Sequence, residues 1–143
     1  MPQTLQSLIR LRKWHVDEKQ RVLANLLESE AHVIGFLHAL DEQGQKERQA
    51  AAADPTGAGR LYGQYATWEK ERRLQLAHML DEVREHIAKA REDLRDAFKD
   101  LKTSEIVENA RQQHERDEYE RHDAAIQNEV ALEMYRRDSK KTS

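Results

Sequence analysis

The stretch Asp54-Pro55-Thr56-Gly57-Ala58-Gly59 decides how this chain folds, because helix-breaking residues concentrate there and nowhere else. The chain has five glycines and two prolines in 143 residues, and the other proline is Pro2. Long runs without breakers on both sides favour long helices. We therefore predict a first helix over about 4–51, a turn over about 52–59 and a second helix over about 60–137.

The composition limits the class of protein. Charged residues make up 36% of the chain, apolar residues 38%, and the formal net charge is −3. High helix-forming content with balanced charge is typical of a coiled coil. A slightly acidic chain argues against nucleic-acid binding. The absence of cysteine excludes disulfides, thiolate metal sites and a catalytic thiol. No run approaches the roughly 18 apolar residues of a membrane span, so we expect no direct membrane insertion.

Apolar spacing in both predicted helices indicates that each faces another helix. In the second helix, apolar residues alternate steps of four and three, which is a heptad stripe. These residues are Leu76, Leu80, Val83, Ile87, Ala90, Leu94, Ala97 and Leu101. The first helix has the stripe Leu5, Ile9, Val16, Leu23, Leu26, Val33, Leu37 and Leu40. Arg12, Lys19 and Glu30 interrupt it. The sequence thus predicts an all-α fold, a long antiparallel coiled-coil hairpin with a longer second helix.

A hairpin that bends near residue 55 has a definite register. Residue i then lies opposite about residue 110 − i, which places Leu40 near Lys70 and Leu5 near Glu105. We expect residues 1–143 to form a single coiled-coil domain in which the second helix is unpaired beyond about residue 106. The unpaired part is almost wholly polar over 110–123. A weak apolar line resumes within it at Tyr119 and continues through Ile126, Val130 and Met134.

Metal and catalytic motifs are missing from the sequence. Of the seven histidines, His114 and His122 share a helical face with Glu118, but a metal site needs ligands that converge from several directions. Catalytic carboxylates need a partly dry pocket, for which a two-helix rod has no room. Gly57-Ala58-Gly59 also lacks the lysine of a phosphate-binding loop. We expect no cofactor, no metal and no enzyme activity.

Three aromatic residues form the first candidate binding surface, just after the turn. They are Tyr62, Tyr65 and Trp68, with Arg72 one turn further along. Exposed aromatic residues beside an arginine are typical of binding hot spots. Alternatively, the rings pack against Leu37 and Leu40 and close the end of the coiled coil.

Basic residues form the second candidate surface. Near the start of the chain they are Arg10, Arg12 and Lys13, and towards its end Arg116, Arg121, Arg136 and Arg137. Such residues suit an acidic protein surface, although the charge run alone favours a solvated helix face.

Four motifs together resemble a known family. The first is Leu5-x-x-Leu8-x-x-Leu11, followed by Val16 and Leu23. The others are Tyr62-Gly-Gln-Tyr65, then Ala97-Phe98-Lys99-x-Leu101-Lys102-x-x-Glu105, and finally Asn128-Glu129-Val130-Ala131. With these motifs, nearly the whole chain resembles the flagellar FliJ-like export protein family, whose members are short antiparallel coiled-coil hairpins.

The resemblance implies a component of the bacterial flagellar type III protein export apparatus, cytoplasmic and peripheral at the inner membrane. Family members act as a stalk in the hexameric export ATPase, promote its activity, contact the membrane export gate and escort export chaperones. The resemblance implies contacts with the ATPase ring and with the gate. We expect the basic residues above to meet the ring and Tyr62, Tyr65, Trp68 and Arg72 to meet the gate. The family's gate motif has an aromatic residue, leucine, alanine and histidine. Here those places hold Tyr65, Glu69, Arg72 and Leu76.

Two other functions fit the same pattern. One is the corresponding stalk of a virulence-type secretion system. The other is a generic coiled-coil scaffold or dimerisation module, in which the apolar stripes pair between chains instead of within one.

Overall fold

A computed structural model describes residues 2–141 of the chain. It contains two α-helices, α1 over Pro2–Ala53 and α2 over Ala58–Lys141, of 52 and 84 residues. The described residues contain no strand, so the predicted all-α fold with a longer second helix is confirmed. No stretch of α1 or α2 within the described range is apolar enough to span a membrane.

Contacts within the chain define two units, which we describe separately. The turn unit comprises residues 13–98 and includes the connection between the helices. The terminal unit joins the residues up to Arg12 to those from Lys99 onward.

The connection occupies residues 54–57, and Asp54 organises it. Its carboxylate accepts hydrogen bonds from the backbone amides of Gly57, at 3.0 Å, and Ala58, at 3.4 Å, and from the hydroxyl of Thr56 at 3.3 Å. These bonds satisfy amides at the start of α2 that have no partner within the helix. A Cβ atom on Gly57 would collide with the Asp54 carboxylate. A side chain at Gly57 would therefore displace the carboxylate that caps α2. The backbone itself does not demand glycine here, since no glycine in the described chain has a positive φ.

Stability should depend on pH through Asp54. The Gly57 amide, and after it the Ala58 amide, lower the pKa of this carboxyl below its ordinary value. A lowered folded-state pKa gives stability that is full above the unfolded pKa of about 3.9 and is lost as the pH falls through the folded value. We expect Asp54→Asn to unfold more readily than the parent chain at about pH 6, and the difference to shrink below about pH 4. Urea unfolding across this range measures it, with the exposed Asp17→Asn as control. A difference that is constant with pH would contradict the assignment.

The core of the turn unit is a narrow apolar seam. Val33, Leu40 and Leu76 are buried and in contact, and Leu37 and Leu80 pack against them. The seam continues through the heptad positions expected from the sequence. On α1 these include Val16, Leu23 and Leu26, and on α2 Val83, Ile87, Ala90, Leu94 and Ala97, all buried or half-buried. Burial of these stripes against each other is what the alternating four–three spacing predicts.

Ion pairs between the helices establish the register of the turn unit. Arg73 lies 2.7 Å from Asp41, and Arg84 lies 3.1 Å from Glu30. Residue i therefore faces about residue 114 − i, and Leu40 packs against Leu76. The predicted value of 110 − i, with Leu40 near Lys70, was wrong. The centre of the hairpin lies near residue 57 because α1 continues to Ala53 before the chain turns.

A polar layer crosses the seam next to the turn. Glu69 is buried on α2, and its carboxylate accepts a 2.9 Å bond from Arg73, which also pairs with Asp41. Gly44 on α1 makes room for this carboxylate, because a Cβ atom there would lie 2.9 Å from Glu69 Oε1. The glycine thus lets α1 pack over a buried acidic side chain.

Two glycine substitutions should separate helix propensity from this packing. Gly35→Ala meets no atom within 4 Å, so it should raise the free energy of unfolding by about 0.5–1 kcal/mol through propensity alone. Gly44→Ala should gain less, because the new methyl group displaces the Glu69 carboxylate from its place beside Arg73. Urea unfolding of both variants measures the difference. Equal gains would show that Glu69 moves aside without cost.

In the terminal unit, the seam becomes polar. Leu5 and Ile9 are half-buried on α1, and Arg12 lies 3.3 Å from Asp100 of α2. Ser104 and Glu108 continue the α2 heptad after Leu101, and both are buried. Each described residue from 118 to 141 is exposed.

Candidate partner-binding site

The aromatic residues after the turn form a continuous row on α2. The ring centroids of Tyr62 and Tyr65 are 6.3 Å apart, and those of Tyr65 and Trp68 are 5.7 Å apart. Spacings of three residues bring successive side chains onto neighbouring positions of one helix face. We call these three residues the aromatic row. Trp68 is 48% exposed, whereas Tyr62 and Tyr65 are half-buried.

Tyr65 is the member of the aromatic row whose polar end is buried. Its hydroxyl is buried and has no hydrogen-bond partner in the described chain. Burial, followed by the negative charges of Glu69 and Glu47, raises the pKa of Tyr65 above its ordinary value. The ring therefore stays neutral and acts as an anchor, and Trp68 presents the larger accessible surface.

Packing against Leu37 and Leu40 was the alternative for these rings. Those leucines pack with Leu76 and Leu80. The charges that act on Tyr65 from α1 belong to Glu47 and Arg48, further towards the turn.

Two of the four gate-motif positions face the interior of the turn unit. Leu76 is 1% exposed and Glu69 is 9% exposed, so neither is accessible to a partner. Arg72 is half-buried, and its Nη1 atom donates to Gln75 at 3.5 Å. Among the predicted gate-binding residues, Trp68 thus offers the most solvent-accessible surface. Tyr62, Tyr65 and Arg72 are half-buried around it.

The basic residues do not form one cluster. Arg10 is exposed, whereas Arg12 is held by Asp100 and its Nε atom is buried without a hydrogen-bond partner in the described chain. Lys13 is exposed and belongs to the turn unit. On α2, the guanidinium groups predicted to bind the ring are exposed and spread over more than five turns of helix. They belong to Arg116, Arg121, Arg136 and Arg137, of which Arg137 lies 4.0 Å from Glu133.

A charged network not foreseen from the sequence precedes the exposed part of α2. Glu108 accepts bonds from Arg111 Nη2 at 2.8 Å and Gln112 Nε2 at 3.0 Å, and Arg111 also pairs with Glu115. Arg111 is the main cause of the lowered pKa of Glu108, and Glu108 in turn raises the pKa of Arg111. The sequence signal was the continuation of the heptad spacing from Leu101 through Ser104 to Glu108. These bonds stabilise the helix beyond the end of its apolar seam.

The described residues contain no group of three metal-ligating side chains. His114 lies 3.6 Å from Glu118 across one turn of helix, as an exposed pair.

Comparison with known proteins gives two similar relatives. Both are named "Flagellar FliJ protein" and come from Caulobacter vibrioides, one from strain NA1000 / CB15N and one from strain ATCC 19089 / CIP 103742 / CB 15. Each is 30% identical over 101 residues, which cover 71% of this chain and 72% of the relative. No family model matches the chain, and no solved structure matches it significantly. With this identity over most of both sequences, the chain belongs to the flagellar FliJ protein family.

Proposed function

We propose that this protein is a stalk component of the flagellar type III export apparatus and promotes the activity of its hexameric export ATPase. Membership of the FliJ family supports a role in flagellar export. The observation that supports a role as a stalk is the end of α2, where the described residues from 118 to 141 are helical and exposed. Such a segment offers its whole circumference to a surrounding partner.

The dimensions of a single helix suit a ring. With side chains, an α-helix is about 10–12 Å wide, so residues 118–141 fit a narrow pore that two paired helices would fill far more tightly. Charges on the helix then bind some subunit conformations better than others. Differential binding of this kind shifts the ring towards those conformations and thereby alters hydrolysis. The protein itself needs no catalytic group for this role, and we propose that it is not an enzyme.

We assign the ring contacts to the exposed basic residues. Those on α2 are Arg116, Arg121, Arg136 and Arg137. Near the start of α1, Arg10 and Lys13 are exposed and available to the ring. Arg12 forms an ion pair with Asp100, so we assign it to the contact between the helices. Acidic ring surfaces are the complementary partner, and their attraction should weaken as salt rises.

The direct test adds the purified protein to its cognate export ATPase. We expect faster ATP hydrolysis and co-migration of the two proteins on gel filtration. Neither effect would appear if the chain is a generic scaffold. Loss of motility in a deletion strain separates a flagellar role from a virulence-type secretion role.

Crosslinking distinguishes a stalk hairpin from a scaffold whose stripes pair between chains. The chain has no native cysteine. The register places Leu26 opposite Ile87, so cysteines at both positions should join within one chain. Crosslinks formed only between chains would favour the scaffold.

For the export gate, we propose the aromatic row with Arg72 as the contact surface. Trp68 is the expected hot spot, because it is large, exposed and in contact with Tyr65.

Trp68→Ala should weaken binding to the cytoplasmic part of the gate protein about tenfold or more. Leu74→Ala is the matched control, because Leu74 is 65% exposed and lies six residues after Trp68, on another face of the helix. Calorimetric titration measures both. Equal affinities for the two variants would place the gate contact elsewhere.

Escort of export chaperones, and a location in the cytoplasm against the inner membrane, complete the proposal. Both rest on the family membership.

A further inference from the structure

The exposed end of α2 carries a second heptad stripe that the hairpin does not use. Its members are Arg116, Tyr119, Asp123, Ile126, Val130 and Glu133, which again alternate steps of three and four. We call them the outer stripe. Continued beyond Glu108, the seam heptad falls on residues 118 and 125. Tyr119 and Ile126 each follow one of these positions by one residue, and one residue turns the helix by about 100°. The outer stripe therefore points away from the seam.

Apolar members of the outer stripe are open to solvent. Tyr119 is 73% exposed, Ile126 47% and Val130 51%. A heptad stripe of this kind pairs with another helix. Its flanking charges indicate which helix that is.

Charge is divided along this segment. Residues 115–123 contain five acidic and two basic residues, a net charge of −3, whereas residues 133–141 contain four basic and two acidic residues, a net charge of +2. A second copy lying antiparallel sets each acidic part against a basic part. A parallel copy sets like charges together, which opposes association.

We propose that two copies of this chain associate through antiparallel pairing of their outer stripes, about a two-fold axis between Ala124 and Ala125. Residue i of one copy then faces residue 249 − i of the other. Tyr119 meets Val130, Arg116 meets Glu133, and Asp123 meets Ile126 beside the axis. Two-fold symmetry repeats each of these contacts.

Residues beside the stripe support the same register. In an antiparallel coiled coil the flanking pairs are offset from the central ones by two residues, so Glu115 meets Arg136 and His122 meets Glu129. A shift by one heptad pairs Ile126 with Val130, but it places Asp123 against Glu133 and Glu129 against its own copy. Opposite charges thus select one register and like charges reject the next.

Sedimentation equilibrium of the full chain tests this directly. We expect a concentration-dependent monomer–dimer equilibrium. Glu115→Arg should weaken the dimer about tenfold, since it replaces attraction by repulsion in both symmetric pairs. Adding Arg136→Glu to that variant should restore the affinity. Glu118→Arg makes the same charge change off the stripe and is the matched control. A chain that stays monomeric, or a double variant that is not rescued, overturns the proposal.

Disulfide trapping tests the orientation. Mixing a Tyr119→Cys chain with a Val130→Cys chain should give the mixed disulfide, because the native sequence has no cysteine to compete. Disulfides between two Tyr119→Cys chains in preference to the mixed product would indicate parallel pairing and overturn the proposal. No ATPase is present in either experiment, so the outcome is read separately from the stalk function. The dimer covers the segment assigned to the ring, so it has to separate before that segment enters the ring.

Discussion

Removing residues 118–143 should reduce the stimulation of the export ATPase to the basal rate while leaving the paired helices folded. In the described part of the deleted segment, 118–141, all side chains are exposed. The cut preserves the Glu108–Arg111 network and everything packed between the helices. The free energy of unfolding should therefore change by no more than about 0.5 kcal/mol.

The measurement is steady-state ATP hydrolysis with full-length and shortened protein, beside urea unfolding of both. A full-length variant with Arg116, Arg121, Arg136 and Arg137 changed to Gln is the informative control. If it retains stimulation, the helix acts by its shape and length. If it loses stimulation, the positive charges carry the effect. Undiminished stimulation by the shortened chain would refute the role of this segment.

Leu76→Ala should be the most destabilising substitution in the turn unit. Leu76 is 1% exposed and packs with Val33 and Leu40, where a narrow seam has few other atoms to fill a cavity. Truncating a buried leucine costs about 2–5 kcal/mol, the sum of lost apolar burial and the cavity left behind.

Leu74→Ala is the matched control for this substitution. It makes the same chemical change two residues away on the same helix, at a side chain that is 65% exposed. We expect its free energy of unfolding to stay within about 0.5 kcal/mol of the parent value. Urea midpoints followed by circular dichroism compare the two. Similar shifts for both variants would show that Leu76 is not at the centre of the core.

The candidate surfaces were only partly readable from the sequence. Spacing of three residues placed Tyr62, Tyr65 and Trp68 on neighbouring positions, because that relation is local to one helix. How far each ring is exposed depends on α1, which buries the Tyr65 hydroxyl and leaves Trp68 open. Likewise, the sequence does not predict that Arg12 pairs with Asp100, because the two residues are remote in sequence.

By itself, the sequence determined the two helices, the single turn near Asp54 and the stripes that pair, since these follow from local propensity and heptad spacing. Only the tertiary structure decided the 114 − i register, the burial of Glu69 and Glu108 and the point at which burial ends. Those features depend on which side chains meet across a hairpin. A shift of a few residues in the turn moves every such contact while leaving the pattern along each helix unchanged.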